Sequence, residues 1–146
     1  MVYENDGKLD SDLAKYGCAF LSLAHYNPDI TDDVVNDMAH KAHQKAIIDE
    51  DDTIQDWQAL VDLFGYNLKY RSGHWPLSTV VTEDMYLIGE WYNVNTNFTH
   101  FVVMDCKGIG KDNVIYDPIK GGSRTVAEGK MVSYRIFDIQ EVANAA

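Results

Sequence analysis

The first 65 residues carry apolar positions at the three-to-four-residue spacing of amphipathic helices. A first helix is predicted to begin near Cys18 and to end at the "NPD" of residues 27–29. A second helix begins after the N-cap residue Thr31, and its apolar face comprises Val35, Met38, Ala39, Ala42 and Ala46. A third helix is predicted from Thr53 to the stop signal Gly65. We therefore expect the N-terminal half to be helical.

The second half of the chain has the composition of β-strands. Runs rich in aromatic and β-branched residues predict strands at 67–71, 85–92, 100–106, 113–117 and 131–139. Turn signals such as "NVNTN" and "KGIGKDN" separate these runs, and "HFVVMDCKGIGKDNVIYD" is typical of a hairpin. Helices followed by an antiparallel sheet predict an α+β fold.

Composition narrows the possible partners of this chain. Its 146 residues fit a single domain, residues 1–146, that can bury a core. A formal net charge of −11 and the lack of a basic cluster argue against nucleic-acid binding. The polar N-terminal residues do not form a signal peptide, and no apolar run reaches the roughly 20 residues of a membrane span. We expect a monomer made in the cytoplasm, with no stable membrane insertion, no cofactor and no metal.

Cys18 is the first candidate for chemistry. It follows Gly17 at the predicted start of a helix, and a helix N-terminus favours the thiolate, which is the nucleophilic form. Taken alone, the residue is better explained as a buried structural cysteine, because free cysteine is among the most buried residue types. The only other cysteine is Cys106, and we expect both to be unpaired. A nucleophilic role therefore depends on finding a base.

His100 is the best placed of the five histidines. It opens a predicted strand, and Asp117 ends the next one, so an antiparallel hairpin would bring the two together. The carboxylate could then orient the imidazole. His25 lies two helical turns from Cys18, and His74 is a weaker alternative base in a predicted loop. His40 and His43 have a spacing that suits a metal, but no third ligand is suggested, and we expect them on a solvated face.

The pieces "YGCAFLSLA", "THFVVMD" and "VIYDP" together resemble the papain-like cysteine peptidase superfamily. The resemblance is greatest to its compact bacterial branch, the bacteriocin leader-processing peptidases and related phage-type cell-wall peptidases. It spans residues 11–139 and implies a papain-like fold, with a helical half packed on a sheet half. It also implies Cys18 as nucleophile, His100 as base and Asp117 as the orienting group.

One departure from that superfamily concerns the oxyanion. The superfamily usually has a glutamine about six residues before the cysteine, but here the chain has Ser11 and Asp12. Aspartate would oppose an oxyanion unless protonated, so Ser11 or backbone N–H groups would have to donate. Loss of one oxyanion donor typically costs about 10²–10³ in rate.

The function expected from these observations is cleavage of a peptide bond through an acyl-enzyme on Cys18. Small size and the lack of an attached domain favour cell-wall stem peptides over proteins or leader peptides as substrates, with release by a holin as in a phage lysin. Trp91 and Phe98 are candidates to line the substrate cleft, although aromatic residues of this kind more often belong to the core. The alternative is a peptide-binding module or effector with weakened catalysis.

Overall fold

The computed structural model describes residues 1–141 and confirms the α+β class. Five helices lie within these residues: α1 (Ser11–Tyr16), α2 (Cys18–Ala24), α3 (Asp32–Gln44), α4 (Trp57–Phe64) and α5 (Arg124–Glu128). Five strands form one sheet: β1 (Leu68–Trp75), β2 (Met85–Asn93), β3 (Phe98–Met104), β4 (Val114–Tyr116) and β5 (Lys130–Ile139). A 3₁₀ turn, Lys111–Asn113, precedes β4. None of the helices in residues 1–141 is long and apolar enough to cross a membrane.

The sheet is antiparallel, and its strand order is β1-β5-β2-β3-β4. The last strand therefore lies in the middle, between β1 and β2, and its burial on both faces fits its long apolar run. Strands β3 and β4 form the predicted hairpin, in which Val103 pairs with Tyr116. This hairpin brings the residues at the start of β3 close to those that follow β4.

Two apolar clusters cover the opposite faces of the sheet. Ile88 and Phe137 belong to the larger cluster, which packs against the helices, whereas their neighbours Leu87 and Ile136 belong to the smaller one. Adjacent strand residues point to opposite faces, which explains why neighbours divide between the clusters. The core thus lies mainly between the helices and one face of the sheet.

The third helix begins later than the sequence predicted. It starts at Trp57 rather than Thr53, because the Asp56 side chain caps it by accepting a hydrogen bond from the Ala59 N–H. Upstream, Asp49 Oδ1 accepts hydrogen bonds from the backbone N–H groups of Asp51 and Thr53. These local bonds hold residues 49–53 in a turn that competes with helix.

The helices α1 and α5 were not predicted. Each has six residues or fewer, and α1 buries only Leu13, so neither leaves a readable periodic pattern. Gly17 joins α1 to α2, and a Cβ atom at this position would lie 2.5 Å from the Leu13 carbonyl oxygen. Glycine is therefore required for the close approach that precedes Cys18.

Candidate active site

A histidine and an aspartate are paired at the open end of the β3–β4 hairpin. His100 Nε2 lies 2.7 Å from Asp117 Oδ1, and both side chains are about 10% exposed. The aspartate is itself held by backbone N–H groups, because Ile119 donates to Oδ1 and Ser123 donates to Oδ2. A carboxylate with three donors has a fixed orientation, and it fixes the imidazole ring in turn.

The electrostatics of this pair follow from its geometry. Burial lowers the pKa of His100, but the hydrogen bond to Asp117 and the neighbouring Cys18 thiol outweigh it and raise the pKa to about 10. Burial likewise opposes ionisation of Asp117, but the hydrogen bond and the charge of His100 lower the pKa of that carboxyl. At neutral pH the pair is therefore an imidazolium beside a carboxylate.

Cys18 faces the same ring. It is the first residue of α2, and its Sγ lies within 4.8 Å of a His100 ring nitrogen. Because Asp117 occupies Nε2, Nδ1 is the nitrogen that remains for the thiol. The helix is tied to β3 one turn further on, where the Ser22 hydroxyl donates to the Phe101 carbonyl at 3.1 Å. The positions of the thiol and the imidazole are thus coupled through a direct hydrogen bond between their two elements.

Glu4 completes the immediate surroundings of the thiol. Its carboxylate lies within 4.8 Å of both Cys18 Sγ and a His100 nitrogen, although it comes 14 positions before the cysteine in the chain. The residue is 5% exposed, and its Oε1 has no hydrogen-bond donor among residues 1–141. Burial raises the pKa of this carboxyl to about 7, against the lowering effect of the His100 charge.

Tertiary contacts hold Glu4 in this position. Its backbone N–H donates to the Pro118 carbonyl at 2.8 Å, and the Lys120 N–H donates to Asn5 Oδ1 at 2.8 Å. The Tyr116 hydroxyl donates to the Val2 carbonyl. The N-terminal segment is therefore fastened to the loop that carries Asp117.

Two cavities meet at Cys18. The first, which we call the apolar pocket, has a volume of about 300 Å³ and is lined by Tyr16, Ala19, Ile54, Trp57 and Phe101, with Arg135, Asp52, Thr53 and His74 at its polar parts. The second, which we call the groove, has a volume of about 640 Å³ and is lined by Glu4, His100, Phe98 and Ile119 among others. A chain lying in the groove could place a bond at Cys18 and a side chain in the apolar pocket.

The remaining predicted site residues lie in different places. Phe98 is exposed and lines the groove, whereas Trp91 is buried in the smaller apolar cluster and lines neither cavity at Cys18. Ser11 is exposed on α1. The Asp12 carboxylate lies 3.1 Å from His43 Nε2 and lines neither cavity. The structure thus brings together Cys18, His100 and Asp117, and it does not bring Ser11, Asp12 or Trp91 to them.

The other histidines have distinct environments. His25 stacks on Tyr116 with ring centroids 3.9 Å apart. His74 is exposed on β1 and lines the apolar pocket. His40 is exposed, as expected, but His43 contacts two carboxylates instead of solvent alone.

Two groups among residues 1–141 bring potential metal-ligand atoms within 4.8 Å of one another. One is Glu4, Cys18 and His100, and the other is Asp12, His43 and Asp52. The sequence pattern suggested neither group, because their members come from segments that are far apart along the chain.

Comparison with known proteins places the chain in a family. The profile of a family described as "Protein of unknown function, DUF261" matches residues 1–139. The chain belongs to the DUF261 family. No curated protein matches it, and no solved structure matches it. The DUF261 match includes every residue of the site described above, from Glu4 to Arg135.

Proposed function

We propose that this DUF261 protein is a cysteine hydrolase that cleaves peptide amide bonds. The observation that carries the proposal is the spacing of at most 4.8 Å between Cys18 Sγ and a ring nitrogen of a histidine that Asp117 orients. The two cavities that meet at the thiol add space for substrate on both sides of the scissile bond.

The nucleophile in this proposal is the Cys18 sulfur, which lies beside the His100 ring. The raised pKa of His100, about 10, keeps its ring protonated at neutral pH, so that the ring holds a proton for the leaving group. The sulfur attacks the carbonyl carbon, and as the C–N bond breaks, His100 gives its proton to the departing amine. Water then attacks the thioester, His100 takes a proton from it, and the C–S bond breaks. The products are a carboxylate and the free thiolate.

Glu4 supplies the oxyanion donor in this proposal. It stands beside the thiol, where the papain-like superfamily uses a glutamine amide, and its protonated carboxyl group has the same planar shape and one O–H donor. With a pKa of about 7, the carboxyl is protonated in a substantial fraction of molecules at neutral pH. Glu4 lines the groove at the thiol, where the O–H of its protonated carboxyl group would donate to the oxyanion.

The residues that line the apolar pocket indicate which class of substrate would fit. Its aromatic lining suits a bulky apolar side chain, whereas the stem peptides of cell walls carry mainly small and charged side chains. This favours a protein or leader peptide over the cell-wall peptide that small size alone suggested. We also propose that the helices and the sheet have a papain-like arrangement.

The decisive experiment compares wild type with Cys18→Ser on three substrates. These are a peptide library analysed by mass spectrometry, a denatured protein and purified peptidoglycan, with Cys106→Ser as the matched control. We expect cleavage beside a bulky apolar residue that is lost in Cys18→Ser and retained in Cys106→Ser. Cysteine-dependent release of muropeptides would restore the cell-wall assignment. Failure of wild type to cut any of the three would count against the hydrolase.

A second candidate, a peptide-binding module without turnover, is favoured by one observation. Among the described residues that line the two cavities, none is an asparagine or glutamine, so the usual amide donor is absent. If the protein is such a module, wild type and Cys18→Ser should bind the same peptides with equal affinity, and neither should release product.

A further inference from the structure

A second cluster of polar side chains lies beside the candidate active site, and one of its members, Asp52, also lines the apolar pocket. It joins Asp12 on α1, His43 near the end of α3 and Asp52 in the segment between α3 and α4. His43 Nε2 lies 3.1 Å from Asp12 Oδ2 and 2.7 Å from Asp52 Oδ1. Two carboxylates from different parts of the chain therefore converge on one ring nitrogen.

Asp52 is the unusual member of this cluster. Its side chain is 0% exposed, and neither of its carboxylate oxygens accepts a hydrogen bond from the part of the chain that the structure describes. The 2.7 Å approach to His43 is not such a bond, because a single N–H on Nε2 points to Asp12 and cannot also point to Asp52. A buried carboxylate without donors is costly, and a cation at this point would offset that cost.

We propose that Asp12, His43 and Asp52 bind a divalent transition-metal ion such as Zn²⁺. One imidazole nitrogen and two carboxylate oxygens form a mixed set that suits zinc, iron or manganese, whereas Ca²⁺ and Mg²⁺ prefer oxygen ligands alone. The ion satisfies the unpaired Asp52 oxygen and separates the two carboxylates. It replaces the proton on His43 Nε2, which leaves as the metal binds.

The cluster must open to hold such an ion. Tetrahedral ligands about 2.0–2.2 Å from an ion lie roughly 3.3–3.6 Å apart, so His43 Nε2 must move a few tenths of an ångström from Asp12 Oδ2 and roughly 0.6–0.9 Å from Asp52 Oδ1. The Asp12 and His43 side chains are 38% and 30% exposed, which opens a path from solvent and leaves a coordination position for water. Asp52 closes the inner side of the site.

The metal would fasten one wall of the candidate active site. Asp51 and Thr53, the neighbours of Asp52, line the groove, and Thr53 also lines the apolar pocket. The ion joins this segment to α1, which leads through Gly17 to Cys18, and to α3. The inference does not rest on hydrolysis, because it requires only the three ligands and their geometry.

The test measures metal retention and thermal stability of the full, untagged chain. Metal-free protein is loaded with Zn²⁺, Mn²⁺, Mg²⁺ or Ca²⁺, dialysed, and analysed by elemental mass spectrometry and thermal melting. We expect about one equivalent of Zn²⁺ to be retained. At about 100-fold excess over the dissociation constant, we expect the melting temperature to rise by roughly 5–10 °C. A Cys18→Ser background removes zinc capture by that thiol and should leave both results unchanged.

Matched variants locate the bound ion. Asp52→Asn and His43→Gln should each weaken zinc binding by more than about tenfold, whereas Asp51→Asn and His40→Gln should not change it. His43 is partly exposed, so its variant carries the test if Asp52→Asn fails to fold.

The proposal is overturned if wild type retains no transition metal, or if Asp52→Asn and His43→Gln bind zinc as tightly as wild type. It is also overturned if binding is lost only with Cys18→Ser, or if Mg²⁺ or Ca²⁺ stabilises the protein equally.

Discussion

His100 and Asp117 are 17 residues apart in sequence, yet Nε2 of one lies 2.7 Å from Oδ1 of the other. The β3–β4 hairpin produces this contact, because it returns the chain to the end of the sheet where β3 began. The pair is rigid, since two backbone N–H groups also hold the Asp117 carboxylate. A rigid, charged imidazole therefore lies beside the Cys18 thiol.

The reactivity of Cys18 should depend on His100. We expect iodoacetamide to alkylate Cys18 rapidly near pH 6 in wild type, and at least about tenfold more slowly in His100→Ala, because the imidazolium that favours the thiolate is lost. Mass spectrometry of the peptide containing Cys18 measures the rate. His74→Ala is the control, because this histidine also lines a cavity at the thiol, and it should react as wild type does. Equal rates in wild type and His100→Ala would contradict the assignment.

Asp117→Asn should leave the fold intact and reduce turnover by about 10²–10⁴. The reason is that His100 loses the carboxylate that orients its imidazole ring and stabilises its positive charge. The measurement is kcat on the peptide that wild type cleaves, with circular dichroism to show that the variant is folded. Asp112→Asn, an exposed aspartate on the same hairpin, should have no effect. Unchanged kcat in Asp117→Asn would show that Asp117 does not act through His100.

Glu4 should give the reaction an alkaline limit. Its pKa of about 7 means that the O–H donor is lost as the pH rises above 7, so wild-type kcat should fall there. Glu4→Gln keeps a donor at every pH and should remove this limit, whereas Glu4→Ala should lose about 10²–10³ in kcat throughout. The measurement is kcat from pH 5 to 9. A pH profile that is the same in wild type and Glu4→Gln would exclude Glu4 as the donor.

The raised pKa of His100 also predicts how stability depends on pH. The folded state holds this proton more tightly than the unfolded state, because the pKa rises from 6.5 to about 10 on folding. The resulting stabilisation is fully present below pH 6.5 and is lost as the pH rises through about 10. The difference in free energy of unfolding between wild type and His100→Gln should therefore shrink between pH 6.5 and 10 in urea titrations. A constant difference over that range would be inconsistent with the raised pKa.

Gly17→Ala should destabilise the protein by about 1–3 kcal/mol, because the added Cβ would lie 2.5 Å from the Leu13 carbonyl oxygen and force α1 and α2 apart. Activity should fall as well, since Cys18 is the next residue. Gly110→Ala is the matched control, because its Cβ would meet only the Asn113 side chain at an ordinary 3.5 Å. Thermal melting compares the two variants, and equal stability would contradict the close approach at Gly17.

The sequence by itself determined all five strands, three of the five described helices and one pairing. Periodic apolar positions located α2 and α3, Gly65 located the end of α4, and the aromatic and β-branched runs located all five strands. The hairpin signal was local too, so the approach of His100 to Asp117 could be inferred without a structure. These features are readable because each depends on residues that are close together in the chain.

Only the tertiary structure decided which distant side chains meet. Glu4 reaches Cys18 and His100 because the N-terminal segment bonds to the loop after β4, and no local pattern records that contact. The cluster of Asp12, His43 and Asp52 likewise depends on the packing of α1, α3 and the segment before α4. Trp91 is buried in the core for the same reason. The sequence shows that this residue is apolar, but only the packing of the fold decides whether it lies in the core or in a cleft. Residues far apart in sequence come together only when the whole fold forms, so their contacts cannot be predicted from their spacing along the chain.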